Sequence, residues 1–182
     1  QYTVCDRFGD ALQLTGTNPT PWFNAPGLPQ YCSLTGTNSS FRRTFLLEIG
    51  GFDEEYAYFL DETDVCLRLV DRGHRIVFLD DAFIYHKFAP SHLRNVNRIP
   101  KSLYRPSRSK AYFCLRFSAE GATASQAFQR LQDYEASLRR DNDWLANNGS
   151  IDAGHRDFLN KSLADGLRDG MKEALSTPDR KL

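Results

Sequence analysis

The stretch Gly50-Gly51-Phe52-Asp53-Glu54-Glu55-Tyr56-Ala57-Tyr58-Phe59-Leu60-Asp61-Glu62-Thr63-Asp64-Val65-Cys66-Leu67-Arg68-Leu69-Val70 decides how the rest of the chain is read. Paired glycines stop a short preceding helix, predicted over residues 41–49 with Ser39 and Ser40 as N-cap candidates. An acidic and aromatic loop follows. It leads into a second helix whose Val65, Cys66, Leu69 and Val70 share one face, with Gly73 as its stop. Asp61, Glu62 and Asp64 crowd the start of that helix, where unpaired N–H groups and the helix dipole favour a charged carboxylate. Taken locally, the same acids also read as capping residues, with Thr63 as N-cap and Asp64 to Arg68 as an i, i+4 ion pair.

Outward from this stretch, Arg75-Ile76-Val77-Phe78-Leu79 and Ala82-Phe83-Ile84-Tyr85 are β-branched and aromatic runs, read as two short buried strands or one interrupted strand. Upstream, Tyr2-Thr3-Val4-Cys5 reads as a strand, but residues 1–35 are rich in Gly, Pro, Thr and Asn and read mainly as connection. Downstream, Phe128, Leu131, Tyr134 and Leu138, then Phe158, Leu159, Leu163, Leu167 and Met171, recur at helical spacing on either side of Asn147-Asn148-Gly149. The tail is therefore predicted as two amphipathic helices.

The chain has 182 residues, no formal net charge and 13% aromatics, a globular composition that argues against wholesale disorder. No apolar run reaches the roughly 18 residues that a membrane span needs. Cys5, Cys32, Cys66 and Cys114 are too widely spaced for a zinc site and read as reduced core thiols. Charge is unevenly placed: from Asp81 to Glu120 no acid intervenes, while Lys87, Arg94, Arg98, Lys101, Arg105, Arg108, Lys110 and Arg116 supply bases. Such an excess suggests an anionic partner, either a diphosphate or lipid headgroups. No nucleic-acid-binding motif accompanies it, so nucleic acid is not an expected partner.

The order of these pieces resembles the acceptor-side half of family 2 glycosyltransferases of GT-A-like fold. Gly36-Thr37-Asn38, Phe41-Arg42-Arg43, Gly50-Gly51-Phe52-Asp53-Glu54, the aromatic residues 56–60, Asp61-Glu62-Thr63-Asp64, Leu67-Arg68, Gly73, residues 75–79 and His86 follow one another as in that family. The resemblance covers residues 32–90. It implies an α/β fold with part of a Rossmann-like mixed sheet and flanking helices over residues 1–121, followed by a helical appendage over residues 122–182.

In such enzymes an acid at this place is the general base that takes the proton of a sugar hydroxyl during direct, inverting displacement. The resemblance assigns that role to Glu62, with Asp61 as its substitute, since the family's usual residue at position 62 is Asp. It further implies Thr37, Asn38, Asp64, Arg68 and Tyr58 as acceptor- or donor-binding residues. His86 becomes the ligand of a divalent metal, Mn²⁺ or Mg²⁺, that offsets charge on the leaving diphosphate. Tyr56, Tyr58 and Trp22 are candidates to stack on sugar faces. Expected partners are a nucleotide-sugar donor and a saccharide or lipid-linked acceptor, with peripheral membrane contact on the cytoplasmic side, as in surface polysaccharide assembly. The family's Asp-x-Asp motif has no counterpart here, which implies that the nucleotide-binding half lies outside this chain. The alternative is a non-catalytic carbohydrate- or lipid-headgroup-binding module in which the acids only cap a helix.

Overall fold

The computed structural model describes residues 2–85, 89–117 and 124–177. Three strands, β1 (Tyr2–Asp6), β2 (Ala11–Leu14) and β3 (Gln30–Ser33), are followed by α1 (Arg43–Glu48), α2 (Asp61–Asp71), α3 (Tyr104–Phe117), α4 (Ala124–Asn147) and α5 (Ala153–Ser176). The chain is thus mixed α/β.

The sheet lies where the sequence reads mostly as connection. Its order is β2-β1-β3, and both pairings are antiparallel, with Tyr2 opposite Leu14 and Val4 opposite Cys32. Antiparallel pairing replaces the expected mixed sheet because a tight turn joins β1 to β2. Asp6 Oδ1 accepts the N–H groups of Phe8 and Asp10, each at 2.9 Å, and Gly9 takes φ +80°.

Residues 75–85, expected as strand, belong to no strand of this sheet. Side-chain amides take the place of a neighbouring strand there. Asn24 accepts the Ile76 N–H at 2.6 Å and donates to the Ile76 carbonyl at 2.9 Å, while Asn18 donates to the Phe78 carbonyl at 3.3 Å. Ile76 and the Phe78 carbonyl thus find side-chain partners, and the β-branched stretch runs as a strap instead of a ladder.

α1 is shorter than predicted. Arg42 stands at its N-cap without a side-chain bond, but its end follows the glycines: Gly51 N–H reaches the Leu46 carbonyl and Gly50 N–H the Leu47 carbonyl. α2 ends in the same way, with His74 N–H on Leu69 and Gly73 N–H on Val70. In α2 every residue from Thr63 to Val70 is buried, on all faces and not on one. It is the central helix of the first core, packed between Cys5, Tyr31 and Cys32 of the sheet and Tyr112 and Phe113 of α3.

A second core joins Ala111 and Cys114 of α3 to Leu131 of α4 and Leu159, Leu163 and Leu167 of α5. α4 and α5 match the predicted tail helices, and α5 is capped by Asp152, which accepts the His155 N–H at 2.7 Å. α3 serves both cores. The boundary expected at residues 121 and 122 therefore separates α3 from α4, although α3 packs closely on α5. Gly166 and Gly170 allow that approach, since a Cβ would stand 2.3 Å from the Tyr104 carbonyl oxygen and 2.2 Å from that of Arg108.

Candidate functional site

The acidic motif enters the helix through a conformation that the sequence did not announce. Phe59 and Leu60 both have positive φ, +76° and +70°, and Leu60 is the N-cap of α2. Two successive non-glycine residues in this region are uncommon. Burial of the Leu60 side chain, 3% exposed, holds the turn in place, and its carbonyl accepts the Asp64 N–H at 2.8 Å. Thr63 is consequently inside the first turn instead of capping it. Its hydroxyl meets Ser33 of β3 at 3.2 Å.

Asp61 and Glu62 occupy the first two helical positions and are half-buried. Glu62 Oε1 accepts the Gly36 N–H at 2.9 Å, which ties the acidic motif to the 3₁₀ turn Gly36–Asn38. Burial pushes the Glu62 carboxyl above its usual range and the neighbouring Asp61 carboxyl pushes the same way, while the Gly36 N–H opposes both. A carboxylate raised in this manner is a better proton acceptor than a free one.

Asp64 and Arg68 form the expected i, i+4 pair, but neither lines a ligand site. They are 0% and 3% exposed. Arg68 donates to Asp64, to the Ile49 carbonyl at 2.7 Å and to the Gly51 carbonyl at 2.9 Å. All its directions are spent on holding α2 to the end of α1, which corrects the expectation that this pair contacts donor or acceptor. Tyr56 is also buried, edge-on to Tyr112 at 5.2 Å, and so offers no sugar platform. Tyr58 and Trp22 are exposed, and neither lines the cleft described next. His86 lies outside the described residues.

A cleft of about 680 Å³ opens beside the Gly36–Asn38 turn. One wall is the chain leaving β3, with Ser33, Thr35, Thr37 and Asn38; the other is the strap, with Phe78, Asp80 and Phe83. Asn38 crosses to the strap and donates to the Ala82 carbonyl at 3.3 Å, and Tyr2 from β1 donates to Asp80 at 2.6 Å. Thr37 and Asn38 were expected in a binding role and do line this space. Tyr2, Thr35, Asp80 and Phe83 were missed, because residues 2 and 3 gain a role only once β1 places them against a strap 78 positions away.

The expected anion-binding stretch is partly consumed inside the chain. Residues 104–117 form a helix, and its Arg108 pairs with Glu55 at 2.6 Å. Lys110, 1% exposed, bonds the Phe8 carbonyl at 2.9 Å and Asp10 at 2.5 Å. Among the described residues no group of three or more His, Cys, Asp or Glu side chains is placed to hold a metal ion, and His86, the expected ligand, lies outside those residues. Among those residues, too, no helix is long and apolar enough to cross a membrane. No family model matches the chain, and neither the curated proteins nor the solved structures contain a match to it.

Proposed function

We propose that this chain is the acceptor-side part of an inverting, nucleotide-sugar-dependent glycosyltransferase of the family 2, GT-A-like kind. The observation that carries the reading is the contact between two of its separately expected pieces. Gly36, which opens the Gly36-Thr37-Asn38 turn, donates its N–H to Glu62, the assigned base, across 26 positions.

In the proposed reaction an acceptor sugar seated against Thr37 and Asn38 presents a hydroxyl past the Gly36–Asn38 turn to Glu62, and that hydroxyl attacks the anomeric carbon of the donor sugar. Glu62 takes the hydroxyl proton as the new C–O bond forms, and the anomeric C–O bond to the nucleoside diphosphate breaks, its electron pair leaving with the phosphate oxygen. The raised proton affinity of Glu62 suits it to that step. Asp61, one residue earlier at the same helix start, is the reserve base. A divalent Mn²⁺ or Mg²⁺ belongs to this reading through the family resemblance, with His86 as its ligand, and would offset the charge of the leaving diphosphate. Donor, acceptor, peripheral membrane contact and a cytoplasmic setting in surface polysaccharide assembly are parts of the same proposal.

The test is sugar-nucleotide turnover by the protein in its full natural length. Glu62→Gln keeps an oxygen for the Gly36 N–H but removes basicity, and turnover should fall by about 10²–10⁴. Full turnover in both Glu62→Gln and Asp61→Asn would remove the assignment. A non-catalytic binding module would instead retain sugar or lipid binding and show no turnover in the unaltered protein.

A further inference from the structure

We infer that the cleft between the Gly36–Asn38 turn and the strap takes an uncharged saccharide and discriminates against phosphorylated ligands. This rests on the proposed transfer for its biological role, where it narrows the acceptor to a neutral sugar, but its binding chemistry stands on the cleft alone.

The lining groups are of two kinds. Hydroxyls and amides come from Thr3, Gln13, Ser33, Thr35, Thr37 and Asn38. Each offers donor and acceptor capacity, which matches a ring whose hydroxyls also do both. The second kind is aromatic: Phe83 stands on the strap 79% exposed, and Phe78 and Tyr2, also lining the cleft, meet edge-on at 5.3 Å. A large apolar ring left open at the mouth of a polar cleft fits the C–H face of a sugar. The volume, about 680 Å³, lies in the range of small-molecule sites and exceeds what a single water cluster needs.

Charge decides between sugar and phosphate. Among the described lining residues none is Lys, Arg or His, and the charged one is Asp80. Glu62 adds a second carboxylate on the far side of the turn. Arg42 and Arg75, each two positions from a lining residue, do not line the cleft themselves, and Arg42 is turned over the Phe45 ring, 5.7 Å from its centroid. A phosphoryl group in the cleft meets Asp80 and, among the described lining residues, no cation to receive it, and loses hydration in doing so.

The experiment titrates the whole chain, followed by two-dimensional NMR, with maltose, cellobiose and lactose, and in parallel with maltose 1-phosphate and inorganic pyrophosphate. At least one neutral disaccharide should shift the amides of Thr37 and Asn38. Pyrophosphate should leave those amides unshifted, and where maltose is the ligand maltose 1-phosphate should bind about tenfold or more weakly than maltose. Phe83→Ala, at an exposed position that leaves the fold intact, should weaken sugar binding about tenfold. The inference is overturned if no neutral disaccharide binds, if either phosphorylated probe binds as well as the sugars, or if Phe83→Ala has no effect. Turnover separates the two proposals. Transfer to a diphosphate-linked acceptor with no sugar in the cleft removes this inference and leaves the transferase standing; sugar binding without any transfer does the reverse.

Discussion

Glu62 and Gly36 are joined by a hydrogen bond of 2.9 Å, which ties a half-buried carboxylate to the turn whose Thr37 and Asn38 line the cleft, although Glu62 itself is not one of the lining residues. The carboxylate lies close over the turn: a Cβ on Gly36 would come to 3.4 Å from Glu62 Oε1, an ordinary contact distance. The strained pair Phe59 and Leu60 fixes the other end of the same arrangement, since it sets the direction in which the first turn of α2 leaves the loop.

The raised proton affinity of Glu62 has a consequence for stability. Burial lifts its folded value above the ordinary 4.5, so between the two values the folded chain holds more protons than the unfolded one. Its contribution is fully present below the unfolded value and is lost as pH rises through the folded value. Glu62→Gln cannot ionise and escapes that loss. Urea midpoints measured from pH 3.5 to 8 should therefore move in favour of the variant as pH rises, then level off. A difference that stays flat, or that moves toward the parent chain, contradicts the burial of this group.

Arg68 is predicted to be a stability residue and not a ligand residue. Replacing it with Leu leaves the Asp64 carboxylate in the core without its guanidinium and strips the Ile49 and Gly51 carbonyls of a donor. Removal of one partner from a buried pair costs about 3–5 kcal/mol, which for a chain of this size lowers Tm by roughly 10 °C. Arg68→Lys should recover only part, because one ammonium cannot reach three acceptors in a fixed plane. Thermal unfolding checks both, and a loss in Arg68→Leu below about 1 kcal/mol contradicts the role assigned to the pair.

Thiol chemistry should separate folded from unfolded chains cleanly. Burial pushes Cys5 and Cys66 up to about 12, and Cys32 and Cys114 up to about 11, so none is a thiolate near neutrality. All four are free and buried. An aromatic disulfide reagent at pH 8 should react negligibly with the native chain and with four thiols in denaturant. Fast reaction of even one native thiol would show that its element opens readily.

What the sequence made legible follows the range of the interactions. The ends of α1 and α2 were readable because glycine at C′ is a local requirement, and α4 and α5 because their apolar stripes repeat over many turns. The Asp64 to Arg68 pair was readable as a spacing, but its burial was not, since that depends on α2 being enclosed by β3 and α3. Residues 75–79 carry a strand's composition and lost their ladder to Asn18 and Asn24, two amides in a stretch that reads as loop. α3 was hidden by its bases. Arg108 and Lys110 look like surface charge until Glu55 and Asp10 are brought to them. At the site, Glu62, Thr37 and Asn38 were named from order along the chain, whereas Tyr2, Asp80 and Phe83 meet only through the sheet and the strap.

The contact of α3 with α5 provides a final prediction, because it links the two cores. Alanine at Gly166 or Gly170 would gain helix propensity of about 1 kcal/mol, but its Cβ would sit 2.3 Å or 2.2 Å from a backbone carbonyl oxygen of α3. Backbone cannot swing aside as a side-chain tip can, so the helices must part, and overpacking of this kind costs about 1–3 kcal/mol or more. Parting them also shifts Tyr112 and Phe113, which α3 sends into the first core, and Tyr112 is the residue that holds Asp53 of the acidic loop at 2.9 Å. Gly149→Ala is the control: it has open space around it but φ +76°, and should cost about 1 kcal/mol through backbone strain alone. Urea denaturation followed by tyrosine fluorescence should rank Gly166→Ala and Gly170→Ala well below Gly149→Ala. An alanine at position 166 or 170 that stabilises the chain would mean that α3 and α5 do not approach as closely as described, and that the acidic loop is not anchored through α3.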